Sequence, residues 1–288
     1  MVVIEDKQRL ILKRNCSLRD YTTIKIGGRA NSLFIVSDSR HLSKIVKDYK
    51  DSFYLLGAGS NILVSDGHLN KPVVKLGEGF NYIKEESSVV EVGAATPLSR
   101  LLNYMLKNNL AGAENLAGIP ASIGGLLVMN ASSFGTEASS LVEKVKVMDK
   151  QGAVSVLGTD KLNFFYRGST LRDYVILAGW FRFEKGSQLK NKVKTILGVR
   201  YRRGEFDYPS CGCIFKNPPN AFSGELIEGC GLKGTPRNNA AISDKHANFI
   251  INLGGASFND ADYLIKLIKD RVYKKYNVVL EEEVRRWQ

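Results

Sequence analysis

The ten residues 209–218, PSCGCIFKNP, carry two thiols one residue apart, Cys211 and Cys213, followed by an apolar pair and then Lys216, Asn217 and Pro218. A thiol in such a place is a metal ligand, a disulfide partner, a buried apolar group or a proton donor. The CxC spacing is not that of a zinc knuckle, which disfavours a metal set of Cys211, Cys213, Cys230 and His246. Four cysteines in 288 residues, behind an N-terminus that mixes acidic and basic residues where a signal peptide would be apolar, read as reduced thiols of a cytoplasmic protein. Cys211 and Cys230 read as buried thiols, and Cys213 stays open between a buried thiol and a proton donor. His246 has no nucleophile paired with it in sequence and reads as a satisfied polar residue, not a base.

Two glycine-rich stretches could carry a phosphorylated ligand. LLGAGSNILV (55–64) places Gly57, Gly59, Ser60 and Asn61 after an apolar strand, where bare backbone NH groups can approach a phosphate. It is not GxGxxG, and no GxxxxGK[ST] occurs, so Rossmann and P-loop readings are disfavoured. In NLAGIPASIGGLLVMNAS (115–132), Gly118, Ile119, Pro120, Ser122, Gly124 and Gly125 lead into an apolar helical turn ending near Asn130. A glycine-rich helix entry leaves free NH donors at the positive end of a helix dipole, which suits a pyrophosphate. Two such loops about 60 residues apart point to a dinucleotide on a fold other than Rossmann's.

The elements that must position these residues are mixed. Strands are expected at 33–36, 53–56, 73–76, 88–92, 142–148, 174–183, 247–252 and 278–284, and helices at 40–50, 97–108, 187–203, 224–230 and 259–276. Pro97 after Thr96 reads as the first helical residue behind an N-cap. The class is α+β, with a boundary at the turn-rich RRGEFDYPSCG before a C-terminal α/β unit. The hydrophobic fraction of 44% and the charged fraction of 24% are those of an ordinary globular chain, and no apolar run approaches the ~20 residues of a membrane span. A net charge of +12 and a pI near 9.4 favour an anionic partner. The basic residues are dispersed, however, and their densest runs, 191–204 and 269–276, carry apolar residues at helical spacing, as solvated helix faces do. A nucleic-acid-binding protein would need a clustered basic face with stacking aromatics, so that class is disfavoured.

Taken in order, YTTIKIGGRA (21–30), LGAGSNILVSD (56–66), ENLAGIPASIGGLLVMNAS (114–132), FFYRGSTLR (164–172), PSCGCIFKNP (209–218), GELIEGCGLKG (224–234), SDKHANFIIN (243–252) and LEEEVR (280–285) resemble the bacterial UDP-N-acetylenolpyruvoylglucosamine reductases over nearly the whole chain. The resemblance implies a two-part FAD-binding region of the vanillyl-alcohol-oxidase type, in segments 1–62 and 63–204. A substrate-binding domain, 205–288, would follow, with its last strand returning Glu283 to the active site. It further implies non-covalent FAD, NADPH as hydride donor, and UDP-N-acetylglucosamine enolpyruvate as the acceptor reduced for peptidoglycan synthesis, with neither nucleic acid nor a membrane span involved. The sequence does not give the oligomeric state, and a monomer is the default. A related flavoprotein oxidase that passes electrons to oxygen is the rival enzyme reading.

Three positions match the family's catalytic groups. Arg167, in YRGS, matches the arginine that binds the carboxylate or enolate; taken alone, an arginine after an aromatic strand is commonly a surface ion pair. Glu283, directly before Val284, matches the glutamate that stabilises the enol-like intermediate; taken alone, three successive glutamates are usually solvated. Cys213 stands where the family's SxGSxFKNP motif has a serine proton donor, which makes it the implied general acid. Asn217, Lys216, Lys233 and Lys245 are implied substrate-binding groups. Three departures stand out: Ala121 where a second glycine is common, ASSFG (131–135) in place of AGAYG, and only 45 residues between Arg167 and Cys213. The last places the chain with the shorter subclass, which lacks an extra substrate-clamping loop.

Overall fold

A computed structural model describes residues 2–5, 9–50, 52–86 and 89–288. The chain divides into two compact units, each assembled from three separate stretches of sequence. Unit one comprises residues 1–15, 32–58 and 71–197, and unit two comprises 16–31, 59–70 and 198–288.

Unit one is built on two sheets. In the first, the strands run in the order Val2–Glu5, Leu10–Ser17, Arg29–Val36, Val73–Leu76 and Tyr54–Leu56. Leu33 to Val36 pair in parallel with Val73 to Leu76, the register that turns Phe34, Val36 and Val74 inward against Leu42, Ile45 and Val46 of helix Ser39–Tyr49. That helix starts where Asp38 accepts hydrogen bonds from the backbone NH groups of Arg40 (2.9 Å) and His41 (3.1 Å), satisfying two donors the helix itself cannot use. The second sheet is antiparallel, in the order Val154–Gly158, Val142–Met148, Val175–Phe181, Val89–Gly93, Ile83–Glu86. Every residue of Val175–Phe181 is buried, as its central place requires. Helix Leu98–Lys107 sets Leu98, Leu101, Leu102 and Met105 into the same core. Pro97 is the N-cap of this helix rather than its first residue, with ψ 140° in the extended region. The strand expected from Ser88 runs from Val89 to Gly93, and Ser88 lies outside the described residues.

Unit two has a four-stranded antiparallel sheet in the order Ser210–Cys213, Phe249–Asn252, Ala240–Ile242, Pro236–Arg237. Helix Phe258–Tyr276 buries Ala261, Leu264, Ile265, Ile268 and Val272 with Ile242, Ile250 and Leu280, so the expected amphipathic face is the one used. A capping box between Ser257 and Asp260 opens the helix, and Asn277, left-handed at φ 53°, closes it. Asp66 adds a second cap from a distant segment, its carboxylate accepting from the Phe258 NH at 2.8 Å. The last strand is Arg285–Trp287, parallel to Ile62–Val64, and not the 278–284 expected; before it, only Glu282 forms a bridge, with Phe215. Burial alone does not set the strand, since Leu280, Val284 and Trp287 are all buried; the parallel partner Ile62–Val64 does, by pairing with Arg285–Trp287. No helix among the described residues is long and apolar enough to cross a membrane.

Candidate active site

The two cysteines of the opening motif sit on either side of a bulge. Ser210 pairs with Ile251 and Cys213 with Phe249, so Cys211 and Gly212 together oppose Ile250 alone. Gly212 supplies the left-handed backbone the bulge needs, at φ 75°. In an unbroken strand Cys211 and Cys213 would share a face; the extra residue separates them. Cys211 is 1% exposed among Ile214, Ile227 and Ile250, and burial pushes its thiol up to about 12, whereas Cys213 is half-buried outside that cluster. None of the four cysteines is disulfide-bonded. Among the described residues no three histidine, cysteine or acidic side chains gather as a metal would require.

Beyond Cys213 the chain runs antiparallel to the C-terminal segment. The Glu283 NH donates to the Ile214 carbonyl at 2.8 Å, and the Lys216 NH donates to the Glu281 carbonyl at 2.9 Å. The half-buried Glu283 is therefore held one hydrogen bond away from the residue following Cys213. Asn61 fixes the other edge: its side-chain amide donates to the Glu283 carbonyl (3.2 Å) and its own carbonyl accepts from the Arg285 NH (2.9 Å). Glu282 faces the opposite way and is gripped by Lys269 Nζ (2.6 Å) and Arg286 Nε (2.6 Å), while Arg286 also bonds Asp262. Burial works to raise the Glu282 carboxyl, but the hydrogen bonds and charges of Arg286 and Lys269 outweigh it and hold the group below the ordinary carboxylate range.

The implied substrate residues of unit two have protein partners. Asn217 Oδ1 accepts from the Ser223 NH at 3.0 Å, at the start of helix Ser223–Gly229. Lys216 pairs with Glu281 (2.5 Å), Lys233 with Glu228 (2.9 Å) and Lys245 with Asp207 (2.7 Å). The hydrogen bond and charge of Asp207 hold the Lys245 ammonium above its ordinary range. His246 is not the satisfied residue expected: its Nδ1 is buried with no hydrogen-bond partner among the described residues, burial lowers its pKa, and its ring lies tilted against Phe249 with 4.4 Å between centroids.

Arg167 lies in unit one, at the tip of a hairpin in which Phe164 and Phe165 pair with Ser169 and Gly168. Its backbone is left-handed, φ 58°, a conformation that costs a residue with a full side chain and recurs at functional sites. Its guanidinium bonds the Ser132 carbonyl (3.4 Å) and the Ser132 hydroxyl, and lies 5.3 Å from the Tyr166 ring centroid. Asn130 is 2% exposed: its amide reaches Glu137 (3.0 Å), the Phe165 carbonyl (3.3 Å) and the Ser139 NH (3.0 Å), which ties the hairpin down.

The glycine loops can be tested for a dinucleotide by their donors. A Cβ on Gly59 would lie 2.0 Å from the Tyr21 carbonyl oxygen, so this position admits only glycine, and neither its NH nor that of Ser60 bonds another described residue. Around 118–125 the expectation of free donors at the helix start is corrected. The NH groups of Ile123, Gly124 and Gly125 are taken by Thr96 O (3.0 Å), Ala94 O (2.9 Å) and Ser122 Oγ (3.4 Å). A Cβ at Gly124 would come 3.3 Å from Ala94, a tight contact. The NH groups that bond no other described residue are those of Gly118, left-handed at φ 87°, and Ser122. Ile119 is half-buried and Pro120 exposed beside them. Each loop thus offers backbone donors to an anion, as a dinucleotide phosphate requires.

Several contributors were not legible in sequence. The half-buried Lys75 has its ammonium pKa lowered by burial and donates to the Gly57 carbonyl at 2.7 Å. Thr23 ties the Gly59 carbonyl (3.1 Å, from its NH) to the Ser210 carbonyl (2.7 Å, from its hydroxyl). Only the position of Lys75 inside an apolar strand run gave a signal, since a lysine there must find a partner.

Comparison with known proteins bears on the chain as a whole. An FAD-binding-domain family matches residues 33–158, which makes the chain a flavin-dependent oxidoreductase. The C-terminal domain of UDP-N-acetylenolpyruvoylglucosamine reductase matches residues 204–287. A reductase of that name from Caldanaerobacter subterraneus subsp. tengcongensis is 36% identical, covering 98% of this chain and 97% of the relative. Another, from Clostridium novyi, is also 36% identical over 98% of this chain and 93% of its own. The crystal structure of UDP-N-acetylenolpyruvylglucosamine reductase from Thermus caldophilus superposes with a TM-score of 0.83 at 32% identity, covering all of both chains. The chain belongs to the UDP-N-acetylenolpyruvoylglucosamine reductase family.

Proposed function

We propose that this chain reduces UDP-N-acetylglucosamine enolpyruvate to UDP-N-acetylmuramate with electrons from NADPH, in the cytoplasm, as a step of peptidoglycan synthesis. Held between the two glycine-rich loops, FAD would supply, once reduced, the hydride that goes from N5 to C3 of the enol ether. The protein's own residues do the rest. Arg167 holds the substrate carboxylate through two parallel hydrogen bonds and stays cationic while negative charge builds on it. Cys213 delivers the Sγ proton to C2, so the double bond gains one hydride and one proton while NADPH becomes NADP+. Glu283 steadies the enol-like intermediate. Asn217, Lys216, Lys233 and Lys245 bind the substrate's polar and diphosphate groups, each lysine exchanging its carboxylate partner for the ligand. Gly57, Gly59, Ser60, Asn61, Gly118, Ile119, Pro120, Ser122, Gly124, Gly125 and Asn130 line or support the cofactor.

The observation that carries this reading is the bulge at Gly212, which brings Cys213 out of the core in the residue next to the carbonyl that anchors Glu283. The test is the visible spectrum of the FAD-loaded protein under anaerobic conditions. The flavin band should bleach with NADPH and return on adding UDP-N-acetylglucosamine enolpyruvate. A protein that remains colourless after incubation with FAD refutes the reading, and one reoxidised rapidly by air but not by the enolpyruvyl compound is an oxidase instead.

A further inference from the structure

We propose that Asn248 is a positioning residue for the reduction, acting by fixing Cys213 and Glu283 relative to each other; the inference rests on the roles proposed above for those two residues. Asn248 is only 3% exposed, yet its side chain touches no ligand-facing group assigned so far. Its amide is closed on one residue: Oδ1 accepts from the Phe215 NH at 2.9 Å and Nδ2 donates to the Phe215 carbonyl at 2.8 Å. Its own carbonyl accepts from the Ile214 NH at 2.9 Å. The pairing of Cys213 with Phe249 is the last of the ladder between these strands, because the partner chain turns away where the Phe249 NH folds back onto the His246 carbonyl (2.9 Å). A side-chain amide is chemically a peptide group, and here it takes the place of the missing strand residue.

The alternation of the backbone makes this matter for the site. Opposite the C-terminal segment, Ile214 and Lys216 point their bonding groups at Glu283 and Glu281, while Phe215 bridges Glu282 without spending its own NH or carbonyl on that side. Phe215 is 1% exposed, so those two groups have no route to water and depend on Asn248. Without the amide, residues 213–217 must move to solvate them. That movement carries the Ile214 carbonyl away from the Glu283 NH and shifts Cys213 and Glu283 apart.

Asn248→Asp and Asn248→Leu, both FAD-loaded, test this. A carboxylate still accepts from the Phe215 NH but cannot donate to its carbonyl; the protonated acid can. For Asn248→Asp at pH 8, anaerobic reduction by NADPH should stay within about twofold of wild type, since that half-reaction uses neither the Cys213 proton nor the Glu283 carboxylate. Reoxidation by UDP-N-acetylglucosamine enolpyruvate should fall by roughly ten- to a hundredfold, the scale of a misplacement of about 1 Å. The deficit should shrink as the pH is lowered and the introduced carboxyl protonates, while Asn248→Leu shows no such rescue. Hydrogen exchange on the peptide covering 213–217 provides a readout without flavin and should quicken in both variants more than in the rest of unit two. If both half-reactions drop by the same factor, or reoxidation and exchange stay at wild-type rates, Asn248 has no positioning role. A wild-type protein that the enolpyruvyl compound does not reoxidise refutes the proposed function itself, whereas a competent wild type beside unaffected variants refutes only the role of Asn248.

Discussion

Replacing Gly212 with alanine isolates the bulge that separates the two thiols. A Cβ at this position would have the Ser60 carbonyl oxygen as its nearest neighbour, 4.0 Å away, so there is no clash to relieve. The cost is conformational: holding alanine at φ 75° is unfavourable by roughly 1–2 kcal/mol, offset by about 0.4–1 kcal/mol because alanine also restricts the unfolded chain. The net loss is about 0.5–1.5 kcal/mol, or a fall of a few degrees in melting temperature, given about 2–4 °C per kcal/mol for a chain near this size. The chain can escape that cost by straightening the strand, and a one-residue slip would turn Cys213 toward the face that now holds Cys211. Turnover should therefore fall at least about tenfold, far more than the folded fraction can explain, since a one-residue slip reverses which side chains face the core. Circular dichroism melting and steady-state NADPH oxidation with the enolpyruvyl substrate measure the two quantities. Gly212→Asn should lose less of both, because asparagine tolerates the left-handed region better. Wild-type turnover in Gly212→Ala, or a stability loss above about 3 kcal/mol, the scale of steric failure and not of one strained dihedral, would refute the reasoning.

Two further outcomes are expected. With Cys213 as proton donor, turnover should decline on the alkaline side as the thiol ionises and can no longer donate, and Cys213→Ser should lack that limb; identical alkaline profiles in the two proteins would remove Cys213 from the proton transfer. Glu282→Gln should be less stable than wild type at neutral pH, because a carboxyl whose folded pKa is depressed contributes stability above its unfolded value, near 4.5, and loses it as pH falls through the lowered folded value. The two denaturation midpoints should accordingly converge on acidification, and a gap that stays constant to pH 3 would show that the Lys269 and Arg286 contacts with Glu282 add nothing.

Local chemistry was readable from the sequence wherever a residue's role is written in its neighbours. The helices from Ser39, Leu98 and Phe258 follow from apolar spacing, and Gly57, Gly59, Gly118 and Gly124 announced close approaches or unusual backbone. The family was legible as well, because eight blocks in order carry more information than any one site. What the sequence could not give was the partner of each polar group. The free donors expected at Ile123 to Gly125 were already taken by Thr96, Ala94 and Ser122, and the C-terminal strand fell at Arg285–Trp287 because pairing with Ile62–Val64, not local propensity, sets its register. Asn61, read from sequence only as part of a phosphate loop, also braces Glu283, and Asn248 sat unremarked in a quoted motif while bonding a residue 33 positions away. The family motif singled out Cys213 from Cys211, but the bulge that sets one in the core and the other outside it was visible only in the fold. Residue type and spacing fix what a group can do, but a hydrogen bond or a buried face joins segments distant in sequence, and only the folded chain decides which of them meet.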